Sequence, residues 1–201
     1  SSPSLTGLSL TQRLVRIIRE KPTTSADFEA AALFTLDALA NCVAGRNAAP
    51  GHILSQWFGA NTGSNALPDA GRVAFLLGGL CHILETDDLH RESVVHPGCV
   101  VVPAAYALAE KHGRDGRELL TAVLHGFEAA TRVGMAVGPA HYRIWHNTAT
   151  CGPFGSAMAG ASLLGLDDEA ATNALGNAGS QSSGLWQFLE TGAMTKHLHA
   201  G

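Results

Sequence analysis

Residues Val73 to Tyr106 read VAFLLGGLCHILETDDLHRESVVHPGCVVVPAAY, and the reading of this stretch decides the fold. Its flanks are apolar. Its middle, His82 to Gly98, carries three histidines, two glutamates and two aspartates. The left flank predicts a helix over 72–83, and the right flank predicts one over 103–111. Between them, Cys99–Val102 is the candidate strand of the chain. No segment sustains the period-2 alternation of a half-buried sheet, so the expected class is all-α. The middle has two readings. It is a solvated loop between core helices, or a group of ionisable side chains whose pKa values shift because buried chain surrounds them.

Toward the N-terminus, Leu10, Leu14, Ile17 and Ile18 recur at helical spacing, and Pro22 ends that helix. Thr24 or Ser25 caps a second helix, with Asp27 and Glu29 in its first turn. Its apolar face is read as Ala32, Leu33, Leu36, Ala40 and Val43, with Gly45 as the stop. Asp37, inside that helix, is expected to cap or pair with a neighbour. Residues 47–71 are rich in Gly, Asn, Ala and Pro and read as loop, with a short element from His52 to Phe58. Toward the C-terminus, Asp115-Gly-Arg-Glu118 starts a helix to Val137 that buries Leu119, Val123, Leu124 and Phe127. Further helices are expected over 152–164, from Leu166-Asp-Asp-Glu169 through Leu175, and over 179–188. Gly152, Gly155, Ala159 and Gly160 suit closely crossing helices. No repeat or linker divides the chain.

The 201 residues are 46% hydrophobic and 15% charged, which is enough for the core of a single helical domain over 1–201. A net charge of −4 with no Lys or Arg run argues against a nucleic-acid partner. The longest apolar stretches fall well short of the ~20 residues of a membrane span, so no membrane partner is expected. Cys42, Cys81, Cys99 and Cys151 match no CxxC or zinc-ribbon spacing. The opening SSPSLTGLSLTQRL lacks a basic region followed by an apolar one. Buried reduced thiols in a cytoplasmic protein are therefore expected.

Ten histidines is a high count. His96 precedes Pro97-Gly98, where the chain must turn. His146 lies in Ile144-Trp-His-Asn-Thr148, just before the Gly-rich helix, and His197 and His199 follow Lys196. Singly, each is more often structural than catalytic. Together with Lys196 and Arg132 they suit a substrate with several carboxylates, because cations hold carboxylates and an imidazole moves a proton near neutral pH. A metal-dependent hydrolase is the sharpest rival, since His82, Glu85, Asp87, Asp88, His90 and His96 are all ligand types. Their spacing is not HExxH, and the His82–Glu85 pair has no matching second half, so no metal is expected. No G-x-S-x-G elbow and no Gly-rich turn after a strand are present, which argues against a serine nucleophile and a nucleotide site.

Taken in order, these residues resemble a known family. The run Phe75-Leu-Leu-Gly-Gly-Leu-Cys-His-Ile-Leu-Glu-Thr-Asp-Asp88, then His96-Pro-Gly and Pro103-Ala-Ala, is similar to the hallmark block of the MmgE/PrpD family. The likeness continues through Gly116-Arg-Glu-Leu-Leu, Gly126-Phe-Glu, Arg132, His146-Asn-Thr, Leu163-Leu-Gly-Leu, Ala178-Gly-Ser-Gln and Thr195-Lys-His-Leu-His-Ala-Gly201. The family includes 2-methylcitrate dehydratase, cis-aconitate decarboxylase and iminodisuccinate epimerase. The resemblance implies lyase or isomerase chemistry on small di- and tricarboxylates, generally without a cofactor, in homodimers. It also implies a helical domain facing a smaller lid domain across the active-site cleft.

By that resemblance His96, His146 and Lys196 match positions that line the active site of the decarboxylase branch. Where that branch has Asp and Thr, this chain has Glu85 and Leu89, and its loop to His96 is slightly longer, which argues against a plain cis-aconitate decarboxylase. His96 or His146 is expected to shuttle the proton, Lys196 and Arg132 to bind carboxylates, and Glu85, Asp87 and Asp88 to orient the histidines. His90, His197 and His199 are further candidates for contact with substrate. The family's chains are much longer, so a fragment or shortened product without the lid is expected, its exposed apolar surface covered by self-association. The second expectation is a non-catalytic assembly module of the same fold.

Overall fold

The computed structural model describes residues 7–60 and 69–201. The element order is α1 (Leu10–Glu20), α2 (Ser25–Gly45), α3 (Ala49–Ala60), α4 (Ala70–Cys81), α5 (Pro97–His112), α6 (Gly116–Tyr142), α7 (Asn147–Leu163), α8 (Asp168–Gln181), α9 (Phe188–Thr191) and α10 (Thr195–Ala200). Among the described residues the only β pairings are isolated bridges, His90 with Val95 and Trp145 with Leu185. The all-α expectation holds.

Helix starts follow the caps written in the sequence. Ser9 with Gln12, Thr24 with Asp27, and Asp115 with Glu118 each form a capping box that satisfies backbone N–H groups reciprocally. Asp37 pairs within its own helix, accepting from Asn41 Nδ2 at 3.3 Å. Among the described residues, two of the three apolar clusters between the helices hold most of the core. The larger joins α4, α5, α6 and α7 through Cys81, Cys99, Val101, Val102, Val123 and Ala159. The smaller pins α1 and α8 to α7 through Val15, Ile18, Met158 and Leu175. All four cysteines are free and buried.

Close helix crossings depend on missing side chains. A Cβ on Gly155 would lie 2.7 Å from Val101 Cγ2 and 2.9 Å from Gly126 O, so α6 and α7 meet nearly backbone to backbone. A Cβ on Gly78 would lie 2.4 Å from Ala200 O, and this gap lets α10 seat on α4.

Several expectations are corrected. Cys99–Val102 is not a strand. It lies inside α5, which starts six residues before the expected Pro103, with Pro97 at its first turn. Pro fits there because its missing N–H has no intrahelical partner to lose. Burial of Cys99, Val101 and Val102 at 0% exposure outweighs their strand preference. Similarly α7 begins at Asn147 rather than at Gly152. The short element near His52 is a full helix, Ala49–Ala60. The expected loop over 61–68 lies outside the described residues, whereas 70–71 already belong to α4. No helix spans 179–188: α8 ends at Gln181, and Gly184, with φ +134°, turns the chain before α9.

The buried face of α2 is also corrected. Ala31, Thr35, Ala38, Asn41, Cys42 and Gly45 face inward. The larger residues read as its core face are outside, with Leu33 at 68%, Leu36 at 64% and Val43 at 70% exposure. Close approach to α4 selects the small residues: a Cβ on Gly45 would lie 2.0 Å from Leu80 O. α1 keeps its helix but buries Val15 and Ile18, leaving Leu10 and Ile17 exposed.

Candidate active site

The loop from His82 to His96 leaves α4 and enters α5. It is tightly folded. His90 N–H donates to Val95 O at 3.0 Å, and the His90 imidazole meets Ser93 Oγ at 2.9 Å. Glu85 and Val94 both take positive φ, 58° and 52°. Left-handed backbone costs a non-glycine residue about 1–3 kcal/mol, and such strain concentrates at functional sites. The start of α7 grips the loop. Thr148 Oγ1 accepts from His96 N–H at 3.1 Å, and Asn147 Nδ2 donates to Ser93 O at 2.8 Å.

Three imidazoles gather at this junction. His82 is fully buried and donates from Nδ1 to Asp87 Oδ2 at 2.8 Å. His96 Nδ1 stands 3.4 Å from the same oxygen. The His82 ring meets His96 edge-on at 4.8 Å and stacks on His146 at 5.7 Å. His146, at the N-cap of α7, is held by its N–H to Gly184 O at 2.9 Å. Trp186 and Phe188 pack on its ring at 4.8 and 5.8 Å. The second wall is α10. His199 Nδ1 lies 3.0 Å from His146 Nδ1, and Lys196 Nζ forms an ion pair with Glu85. His197 sits against the His82 backbone, its Nδ1 buried and without a hydrogen bond.

Environment drives these groups apart. Burial works against the Asp87 carboxylate, but the hydrogen bond from His82 and the close approach of His96 outweigh it and hold its pKa well below the usual range. Burial likewise disfavours the His96 cation, yet Asp87, helped by Glu85 and opposed by Lys196, raises its pKa above 6.5. His146 has no counter-anion. Burial first, then the charges of His82, His199, Lys196 and His96, push it down to about 2. Burial and nearby cations lower His197 and His199 as well, each with Lys196 contributing.

Sequence-based candidates divide between two sides of the loop. Asp87, His96, His146, Lys196, Glu85, His197 and His199 are on the side just described. Asp88 is turned away: its Oδ1 accepts from Gly98 N–H at 2.9 Å, and with Leu89 and His90 it lines an open cavity of about 290 Å³ under Phe34 and Phe127. Burial, with Asp87 and Asp37 nearby, raises Asp88 to about 7 despite the Gly98 hydrogen bond. Arg132 donates to Glu128 Oε2 at 2.7 Å, and Glu128 also takes Lys21. No contact among the described residues joins Arg132 to the imidazoles. Sequence reading placed His82 only among metal ligands and passed over Thr148, Trp186 and Phe188. The available signal for His82 was its place at the end of an apolar helix, five residues before Asp87.

His82, Asp87 and His96 present donor atoms that all lie within 4.8 Å of one another, so they are the residues able to hold a metal ion. A cation bound at His82 Nδ1 would have to replace the hydrogen bond to Asp87, whereas one bound at Nε2, which has no hydrogen-bond partner among the described residues, would leave it in place. Without one, the arrangement offers an imidazole, His96, of raised pKa beside a buried carboxylate kept ionised and a second imidazole, His146, kept neutral, with a lysine at the rim. Such a pair of separated pKa values can give and take protons at neutral pH.

The model of the MmgE/PrpD N-terminal domain matches residues 12–201. The chain is 32% identical over 136 residues to the cis-aconitate decarboxylase-like protein oryM of Aspergillus oryzae, covering 63% of this chain and 28% of that protein. It is also 32% identical over 124 residues to a cis-aconitate decarboxylase of Aspergillus terreus, covering 58% of this chain and 25% of the relative. The aligned part thus spans about a quarter of the length of these curated relatives. With this match over nearly its whole length, the chain belongs to the MmgE/PrpD family.

Proposed function

We propose that this chain supplies the helical wall of a lyase or isomerase site for small di- and tricarboxylates, with catalysis by proton transfer at carbon α to a carboxylate. The observation that carries this reading is the meeting of Lys196 and His199 on α10 with His96 and His146 on the loop side. Lys196 holds a substrate carboxylate, exchanging Glu85 for it. That contact also stabilises the enolate-like charge that develops as the α-proton leaves. His146 is unprotonated near neutral pH, and a bound substrate carboxylate supplies the negative charge that raises its basicity so that it serves as the acceptor. His96, kept above the usual imidazole range by Asp87, carries the proton that returns to carbon or to a leaving group. Dehydration and epimerisation begin with loss of the α-proton, whereas in decarboxylation CO2 leaves and the carbanion takes a proton from the donor; all three use the same carboxylate seat and proton donor, and the cis-aconitate decarboxylase relatives favour the lyase branch.

The test is turnover of the whole protein on a panel of di- and tricarboxylates that includes 2-methylcitrate and cis-aconitate. Exchange of the α-proton in deuterated water is followed in parallel. Turnover or exchange that disappears in His146→Gln and Lys196→Met is the expected result. Neither turnover nor carboxylate binding on any member of the panel overturns the proposal and leaves the fold as an assembly module.

We also propose that the exposed stripe of α2 is covered by a second copy of the chain. Leu33, Leu36 and Val43 lie on one helical face and are each more than 60% exposed. An apolar face on a helix that otherwise packs by small residues is the kind of self-complementary patch that a two-fold dimer buries.

A further inference from the structure

We propose that His82 is the positioning residue of this site: it clamps the Asp87 carboxylate in the plane that presents Oδ2 to His96 Nδ1 and thereby directs His96 Nε2 to the substrate. The inference deepens the proposed reaction and rests on that reading for its kinetic part. Its structural part stands alone.

His82 is fully buried, as is the Asp87 side chain. A polar ring does not stay in such surroundings without a partner, because burying an unpaired polar group costs about 2–7 kcal/mol. Among the described residues the ring has one hydrogen-bond partner, Asp87 Oδ2 at 2.8 Å, and Nε2 has none. Asp87 Oδ1 also completes no hydrogen bond among the described residues. The orientation of the carboxylate therefore depends on its Oδ2 contacts. Of these the His82 bond is short, while the His96 contact is 3.4 Å and short of a complete hydrogen bond. Contacts of this kind commonly tighten when substrate arrives. Remove the short bond and the carboxylate is free to rotate away from His96.

The same ring also fixes direction. It stands edge-on to His96 at 4.8 Å and stacks within 15° of the His146 plane at 5.7 Å. One buried ring thus sets the planes of both proton-handling imidazoles. Once the Asp87–His96 contact tightens so that Asp87 accepts from His96 Nδ1–H, the His96 tautomer is fixed and Nε2 is the atom left to exchange a proton. The charged and titratable groups around His96 are His82, Glu85, Asp87 and Asp88 on its own loop, Cys99 in the first turn of α5, Lys196 on α10 and His146 at the start of α7. Only His82 both bonds to the carboxylate and touches the His96 ring.

The test uses a substitution pair. Asn places an amide N–H close to where His Nδ1 stands, so His82→Asn keeps the donor to Asp87, whereas His82→Leu fills space without it. Nitrogen-15 spectra of the histidine side chains report the His96 tautomer in the 201-residue chain, with no substrate needed. We expect His82→Leu to lose the Nδ1–H preference of His96 and His82→Asn to retain it. In the whole protein, kcat should fall about tenfold or more in His82→Leu with KM within about twofold, and His82→Asn should recover most of the loss. An unchanged His96 tautomer in folded His82→Leu, or Asn behaving as Leu, overturns the proposal. If both fail to fold, Asp87→Asn, which removes the clamped group itself, must abolish the same tautomer preference or the proposal falls. Absence of turnover on every carboxylate would sink the proposed reaction and leave the tautomer result standing.

Discussion

Lys196 and Glu85 form an ion pair across 111 residues of sequence, joining the last helix to the strained loop after α4. The lysine is mostly shielded, with 17% of its side chain exposed, whereas Glu85 is half exposed. Substrate carboxylate and Glu85 therefore compete for one ammonium. Glu85→Gln should bind a dicarboxylate about threefold to tenfold more tightly by calorimetry, since a rival anion is removed. Lys196→Met should weaken binding at least as much. Tighter binding in Lys196→Met, or none lost, would contradict a carboxylate seat at this lysine.

The Asp87–His96 contact sets a pH limb. His96 has its pKa raised chiefly by Asp87 against the effect of burial, so it carries its proton to higher pH than a free imidazole. Where that proton is needed, the rate falls as pH rises through the raised value. Asp87→Asn removes the carboxylate, lowers the His96 pKa and should move the alkaline limb of kcat/KM toward lower pH. A limb that stays in place, with activity otherwise retained, assigns the proton to another group.

Much of this was legible in the sequence, for particular reasons. Ser9, Thr24 and Asp115 each sit three residues before Gln12, Asp27 and Glu118, and capping boxes need nothing beyond that spacing. That His96, His146, Lys196 and Asp87 come together was expected through the family likeness. What escaped depends on tertiary contact. Valines 100–102 prefer extended backbone, yet packing against α7 and the fit of Pro97 at a first turn make them helical. Helical spacing on α2 could not separate Leu33 and Leu36 from Ala31 and Ala38, because both sets recur every three to four residues. The glycine approach to α4 selects between them. Asp88 and Arg132 have the right chemistry but face the other side of the loop.

The α6–α7 crossing predicts a stability cost. Gly155 approaches Val101, Ala130 and the Gly126 carbonyl closely enough that a Cβ would meet all three within 3 Å. Two of these neighbours are buried side chains and the third is backbone, so none can swing clear. Gly155→Ala should lower unfolding free energy by about 1–3 kcal/mol, as overpacking does, and Gly155→Val by more. Urea denaturation followed by circular dichroism measures both. A neutral Gly155→Ala would mean that the helices separate readily.

Asp88 predicts a gain. Burial raises its carboxyl to about 7 from an ordinary value of 3.8. The folded state therefore favours the protonated form. This contribution is fully present below pH 3.8 and is lost as pH rises through about 7. Asp88→Asn keeps the oxygen that accepts from Gly98 N–H and carries no charge. It should match wild type near pH 4 and exceed it at pH 8 by about 1 kcal/mol or more. Thermal melts at the two pH values decide this. A variant less stable than wild type at pH 8 would show that the carboxylate is stabilised by its surroundings.

The outer stripe of α2 predicts assembly. Leu33, Leu36 and Val43 stand on one face and are largely exposed, while the inner face of the same helix is built from Ala, Thr, Asn, Cys and Gly. An isolated helix with that distribution would turn its leucines inward. Here the crossing with α4 forbids it, because the backbones at Gly45 and Leu80 leave no room for larger side chains. The leucines are thus placed outward by packing, and exposed apolar area of this kind is worth about 25 cal/mol per Å² once covered. Light scattering should report twice the chain mass. Leu33→Glu with Leu36→Glu should give a monomer, with helical content and melting cooperativity retained, because neither side chain touches the core. A wild-type chain that is monomeric at high concentration removes the second-copy reading.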